Sequence, residues 1–331
     1  MVRLRSLMMQ APDDLSGLCE AIGHGLAPAD LAAVFVKTEG NGLDNDWSRP
    51  LAVGALRGLL GTDAGPTIVV SGGCEGFITP HMVVVARDDS GLPFGRADSP
   101  ALAAHEIGTA VQVRATAGAI ERACEQAGIG ADAVGYAHVV APWIEPAMPA
   151  GGTVVAQGAH RSKPFSRAAS ALGVAVALDG LSPSEALRAL HQGDAAVHGS
   201  RCAVTAGATG GRVRVMVFAR TGSGSAAQRL DCISLPDPLC GDRARALLPS
   251  GHRPVAVLLK GDPPSTGRLR GERVVLGQDS DVHAFRHYRA AMSGVLGAAL
   301  GTTRLFIGGG AEHQCPPGGA LLTVVSEPES L

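Results

Sequence analysis

The same order of segments recurs three times along this chain of 331 residues. A chain built of similar units must bury against its neighbours the face that no unit covers alone, so this repetition limits the fold more than any single motif. Three apolar, β-branched-rich segments, Leu31 to Lys37, Tyr136 to Val140 and Val255 to Lys260, read as buried strands. After each comes a Gly/Pro/Asp-rich loop and an arginine (Arg49, Arg167, Arg289) that opens an alanine-rich helix, with Ser48 and Ser166 fitting N-caps. A third strand then stops at a small-residue turn, Val70 to Glu75, Val204 to Thr209 or Ile307 to Glu312. A fourth strand returns over 82–86, 213–218 or 321–325.

One more strand and helix precede each unit: Val2 to Met9 with Leu15 to Ile22, Ala110 to Val113 with Ala119 to Ala127, and Leu230 to Leu235 with Asp242 to Leu248. The pattern is an α/β repeat, β-α-β-α-β-β, with units expected over 1–95, 105–225 and 229–331. Polar, flexible stretches at Asp88 to Gly95 and Thr221 to Ser225 separate them.

Composition narrows the function classes. Lys and Arg number 28 against 30 Asp and Glu, with no basic run, which argues against a nucleic-acid partner. Aromatic residues are only 3%, too few for base stacking or aromatic cages, so backbone groups and a few polar side chains should hold any ligand. The apolar stretch Leu7-Met8-Met9 is too short for a signal peptide, and no 18-residue apolar run exists, so a soluble, cytoplasmic protein without membrane association is expected. Seven cysteines, widely spaced and never paired as C-x-x-C, read as buried thiols rather than zinc ligands.

Four segments carry a resemblance: Val36-Lys-Thr-Glu-Gly-Asn-Gly42, Ser71-Gly-Gly-Cys-Glu-Gly76, Ser166-Arg-Ala-Ala-Ser-Ala-Leu-Gly173, and Gly309-Gly-Ala-Glu-His-Gln314 with the Cys-Pro-Pro-Gly-Gly that follows. They resemble the ring-opening amidohydrolases, the cyanuric acid hydrolase and barbiturase family, and lie in all three units. The resemblance implies a threefold pseudo-symmetric prism around one central site, a tetrameric assembly, no organic cofactor, and hydrolysis of an amide bond in a small heterocyclic substrate. A ring with several carbonyls suits one arginine from each unit, Arg49, Arg167 and Arg289. Backbone groups at Gly72, Ala206, Gly308 and Gly309 can approach it closely. Converging arginines should lower the pKa of a nearby lysine, which could then deprotonate a serine.

The family pattern places a strand-end lysine and a turn serine in each unit, the middle pair being the catalytic one. Here only the first unit keeps both, Lys37 and Ser71; the middle unit has Val140 and Thr205, and the third has Lys260 and Gly308. Valine cannot accept a proton, so a Thr205 nucleophile would need His138, Lys163 or His160. The leading expectation is therefore a Lys37–Ser71 dyad, and three unlike faces suit an asymmetric cyclic imide, ureide or lactam better than a symmetric triazine. Two other readings fit the same residues: a different reaction on a small heterocycle, such as ring closure or isomerisation, or a binding protein without catalysis.

The resemblance also implies a structural Mg²⁺ or Ca²⁺ held by Asp262 and the backbone carbonyls of Ala311, Gln314, Cys315, Pro316 and Gly319, although the family has a glutamate where Asp262 stands. His283, His287 and His313 lack a third ligand at metal spacing, and the glycine runs at 207–211 and 308–310 lack the Lys-Ser/Thr of a phosphate loop. Glu75 and Glu312 are expected to brace their turns by accepting backbone N–H bonds.

Overall fold

A computed structural model of the chain describes residues 1–43, 45–61, 65–149, 151–220, 227–277 and 282–329. The expected separator Thr221 to Ser225 lies outside the described residues. Unit one comprises β1 (Val2–Met8), α1 (Ser16–Gly23), β2 (Leu31–Thr38), α2 (Ser48–Leu60), β3 (Thr67–Gly72) and β4 (His81–Arg87). Unit two comprises β5 (Phe94–Asp98), α3 (Ala110–Ala127), β6 (Val134–Pro142), α4 (Ala159–Leu178), an additional α5 (Pro183–Gln192), β7 (Cys202–Ala208) and β8 (Arg214–Ala219). Unit three comprises β9 (Arg229–Leu235), α6 (Gly241–Arg245), β10 (His252–Gly261), a small hairpin of β11 (Arg268–Leu269) and β12 (Glu272–Arg273), α7 (Ala284–Leu300), β13 (Leu305–Gly308) and β14 (Ala320–Pro328).

Three four-stranded sheets result, ordered β1-β4-β2-β3, β5-β8-β6-β7 and β9-β14-β10-β13. Every sheet thus runs first, fourth, second, third in its own unit, with the second and third strands parallel and the others antiparallel. The middle strands are apolar on both faces because both faces are covered. One face of each sheet enters a common core that includes Phe35, Val69 and Val83 of unit one, Tyr136, Met216 and Phe218 of unit two, and Leu258, Phe306 and Val325 of unit three. The opposite faces pack under their own helices, around Leu18 and Leu56, around Ile120 and Val174, and around Tyr288 and Leu296.

Two expectations are corrected. Ala110 to Val113 is not a strand but the first turn of α3, which Thr109 caps by accepting from the Val111 N–H at 3.2 Å. Val113, Ala117 and Ile120 bury at helical spacing, so the Val-Gln-Val alternation was a false period of two. The strand that opens the second sheet is β5, whose first residues, Phe94 and Gly95, fall in the expected linker and inside the expected range of unit one. Secondly, neither serine caps its helix and only Arg49 opens one: α2 begins at Ser48 itself without a side-chain cap, α4 begins seven residues before Ser166 and continues through Pro164, and α7 begins five residues before Arg289. Buried in the middle of α4, Ser166 donates to the Pro142 carbonyl at 2.6 Å and accepts from Gln112 at 2.8 Å. All seven cysteines are free thiols, but Cys19 is exposed and Cys74 and Cys232 are only half-buried. Among the described residues no helix is long and apolar enough to cross a membrane.

Candidate active site

Strand register places the three dyad positions alike. Lys37 lies opposite Ser71, Val140 opposite Thr205, and Lys260 opposite Gly308 in the parallel pairs β2/β3, β6/β7 and β10/β13. Two residues back along each strand, on the same face, stand Phe35, His138 and Leu258. The central strand ends surround a cavity of about 620 Å³ lined from all three units by Ser71, Thr205, Lys260, Arg49, Arg167 and Arg289. Gly72, Ala206, Gly308 and Gly309 also line it. The expected catalytic and binding residues therefore reach one cavity, except Lys37, which is fully buried behind Ser71.

The Lys37 Nζ lies 3.3 Å from Ser71 Oγ, 3.0 Å from the Gly72 carbonyl and 2.6 Å from the Ile307 carbonyl. Burial pushes its pKa down to about 7, with the Arg289 charge adding to the effect. The arginines are thus the second cause and desolvation the first. A neutral amine carries two N–H donors and one lone pair; the two carbonyls take the donors, which leaves the lone pair for the Ser71 hydroxyl. Lys260 donates to the Gly309 carbonyl, and burial followed by the Arg167 charge lowers it to about 8. A Cβ at Gly308 would stand 3.7 Å from Lys260 Nζ and 3.8 Å from Ser71 Oγ, so Lys260 borders the space beside the hydroxyl.

In the middle unit, His138 Nε2 lies 3.2 Å from Thr205 Oγ1, and its Nδ1 lies 2.8 Å from the Tyr136 hydroxyl. Burial, then Lys260, lowers His138 to about 3, so the ring is neutral. Its tautomer follows from Tyr136. Were the phenol to accept from Nδ1–H, its own buried hydroxyl would lose its donor role, at a cost of about 1–3 kcal/mol. The favoured network runs from the Tyr136 O–H to Nδ1 and from Nε2–H to Thr205 Oγ1. His138 therefore donates to Thr205 and does not take its proton, which argues against Thr205 as an activated nucleophile. The other bases considered, Lys163 and His160, stand 3.2 Å apart on α4 and also line the cavity.

The arginines enter from helices. Arg167 forms two bonds to Glu312, at 2.7 and 2.6 Å, and Arg289 two to Glu75, at 2.5 and 2.6 Å. This corrects the expected role of both glutamates: their main contacts are guanidinium groups of another unit, a bidentate geometry that fixes the arginine plane. Burial raises the Glu312 pKa, but the paired Arg167 outweighs it and holds the carboxyl below its ordinary value. Arg49 donates to the Leu43 carbonyl and stands 3.7 Å from Asp46.

The turn-bracing role falls instead to two aspartates. Asp46, which sequence reasoning missed, accepts from the Gly42 N–H at 2.7 Å and from the Ser48 N–H and hydroxyl at 3.0 and 2.5 Å. Its spacing two residues before a serine at a helix start was the available signal. Asp262 accepts from the Gly310 and Ala311 N–H groups at 2.6 and 2.7 Å; burial, then Glu312, raises its pKa.

These bonds bear on the expected cation site. Both Asp262 oxygens face N–H donors, and the carbonyls of Ala311, Pro316 and Gly319 accept from Gln314, Gly319 and Tyr288. The Gln314 side chain is engaged with Val204 and Gly310, and Cys315 is a buried thiol whose pKa burial pushes up to about 12, so beyond Asp262 only backbone carbonyls of this set could ligate. No group of three His, Cys, Asp or Glu that could hold a metal occurs among the described residues. Asp262 is the one carboxylate of the expected donor set and both its oxygens already accept N–H bonds, which weakens it as a Mg²⁺ or Ca²⁺ ligand, and no chemical step is routed through a metal.

Known proteins resemble this chain along its whole length. A family model described as "amidohydrolase ring-opening protein" matches residues 3–327. A cyanuric acid amidohydrolase of Methylobacterium sp. (strain 4-46) is 36% identical over 97% of this chain and 95% of its own. A cyclic amide hydrolase of Azorhizobium caulinodans is 32% identical over 98% and 99%. The crystal structure of a cyanuric acid hydrolase from A. caulinodans superposes with a TM-score of 0.87 at 32% identity, covering 100% of this chain and 99% of that one.

Proposed function

Because the chain belongs to the ring-opening amidohydrolase family, we propose that it hydrolyses an amide bond in a small cyclic imide, ureide or lactam, with Ser71 as nucleophile and Lys37 as its base. In this reading the three sheets form a threefold prism whose axis passes through the cavity. The observation that carries the mechanism is the Lys37 amine: buried, brought to about 7, and with both N–H donors occupied by carbonyls so that its lone pair faces Ser71.

Lys37 takes the Ser71 proton as Oγ attacks a ring carbonyl, and the carbonyl carbon becomes tetrahedral. Lys260 and the arginines bordering the cavity stabilise the charge that develops on oxygen. The C–N bond then breaks, the departing ring nitrogen takes the proton from Lys37, and the opened ring remains as an ester on Ser71. Water attacks that ester as Lys37 takes its proton, the bond from the acyl carbon to Ser71 Oγ breaks, Oγ recovers the proton from Lys37, and the opened ring leaves as an acid that ionises to the carboxylate. Three unlike faces, Ser71 with Lys37, Thr205 with Val140, and Gly308 with Lys260, favour a ring whose own edges differ.

The test is ultraviolet absorbance of cyanuric acid, barbituric acid and related cyclic ureides with wild-type enzyme and Ser71→Ala. Turnover of one such ring, reduced by about a thousandfold or more in the variant, is the expected result. Unchanged hydrolysis by Ser71→Ala would overturn the dyad. Thermal stabilisation by such a ring without any turnover would favour a binding protein.

A further inference from the structure

The arginine–glutamate pairs run in one cyclic order. Arg167 of unit two binds Glu312 in the turn of unit three, and Arg289 of unit three binds Glu75 in the turn of unit one. The same order assigns Arg49 of unit one to the turn of unit two. The residue four beyond the dyad position, glutamate in the other two turns, is there the exposed Thr209.

Backbone geometry independently marks this corner as different. A Cβ on Gly73 would lie 2.6 Å from the Arg289 guanidinium, and one on Gly310 2.6 Å from that of Arg167, so both guanidinium groups rest against their turn glycines. At Gly207, the same count past the dyad position in unit two, β7 carries a bulge and runs on to Ala208, and a Cβ meets nothing within 4 Å among the described residues. Arg49 instead leans on the Leu43 carbonyl, and its ion-pair partner among the described residues, Asp46 at 3.7 Å, already serves Gly42 and Ser48. Its side chain is 29% exposed, against 5% for Arg289 and 15% for Arg167. Among the described residues, one of the three arginines on the cavity therefore keeps guanidinium donors that no bidentate carboxylate occupies.

We propose that the substrate ring carries a carboxylate, bound by Arg49 at the corner where Thr209 stands in place of the clamp glutamate, so that the ligand completes the third pair. This rests on the reading of the cavity as a cyclic-amide site and narrows its substrate class to anionic, carboxylate-bearing cyclic amides and ureides. A planar guanidinium matches a carboxylate with two parallel bonds, whereas a neutral ring carbonyl offers it only one acceptor atom. A cavity of about 620 Å³ accommodates a six-membered ring with such a substituent.

The test measures binding alone, by calorimetry in the Ser71→Ala background, using orotate and its 5-carboxy isomer against uracil. The expected result is that one carboxylate isomer binds at least about tenfold more tightly than uracil, as a charge-assisted pair supplies. Thr209→Glu, an exposed turn substitution, should supply the missing clamp, erase that preference and leave uracil affinity within about twofold. Arg49→Gln should erase the preference without a new carboxylate. Equal affinity for all three rings, absence of carboxylate binding, or a preference that survives both variants would overturn the proposal. Loss of the hydrolase reading would show instead as no ring opening by wild-type enzyme, with this binding preference intact.

Discussion

The pH dependence of turnover separates the two candidate nucleophiles. kcat/KM follows the ionisation of the free enzyme. With Lys37 at about 7, about one tenth of the amine is neutral at pH 6 and about nine tenths at pH 8. The Lys37–Ser71 mechanism therefore predicts a rise of about tenfold across that interval and a plateau above it. His138, at about 3, stays neutral over the whole range, so a Thr205–His138 mechanism would give no acid limb there. Lys260, at about 8, could produce one as well. The two lysines are distinguished by their neighbours, because Arg289 depresses Lys37 and Arg167 depresses Lys260. Arg289→Gln removes a repelling charge and leaves Glu75 with Arg286 alone, at 3.4 Å, so the limb should move to higher pH although absolute rates fall. Arg167→Gln should leave its position unchanged. Initial rates of ring-absorbance loss in constant-ionic-strength buffers supply the profile. A flat profile, or a limb that follows Arg167 and not Arg289, would refute the assignment.

Stability should also fall in acid. His138 and His81 are buried with pKa values lowered to about 3 and about 4, so the unfolded chain binds more protons than the folded one below the ordinary histidine value. Stability is full above about pH 6.5 and is lost toward those values at about 1.4 kcal/mol per pH unit for each ring. His138→Leu, which copies Leu258 of unit three, should flatten this slope in urea titrations, and an unchanged slope would count against it. Gly310→Ala should lower the melting temperature and loosen Arg167, since φ is 73° and the new Cβ would sit 2.6 Å from the guanidinium; a wild-type melting curve would contradict that geometry. Asp262→Asn turns an amide N–H₂ toward a backbone N–H and should cost about 1–3 kcal/mol. Because those oxygens already serve N–H donors, Mg²⁺ or Ca²⁺ should leave the wild-type melting temperature where a chelator leaves it. A cation-dependent rise would restore the ligand set expected from the sequence.

What could be read in the sequence was what short-range pattern encodes. The strand ends at Lys37, Val140 and Lys260 and the turns after Ser71, Thr205 and Gly308 were legible because β-branched runs stopping at small residues mark buried strands. Alternation failed at Ala110 to Val113, where four residues satisfy both periods and only the burial of Ile120 and Ala123 decides for helix. Pro164 hid the start of α4, because proline usually stands in a first turn and not beyond it. The pairing of Glu75 with Arg289 joins residues 214 apart, and the Tyr136 hydroxyl that orients His138 sits on a strand otherwise read as apolar. Neither contact follows from local spacing, since both depend on how the units meet.

The central claim, a serine ester formed at Ser71, is tested most directly by mass spectrometry of enzyme quenched during turnover. Because the departing ring nitrogen stays tethered to the acyl group, the adduct should add the full mass of the substrate and map to the peptide containing Ser71. Such an adduct, absent from Ser71→Ala, is the predicted result. An adduct on Thr205, or turnover under acyl-accumulating conditions with none on Ser71, would contradict the account.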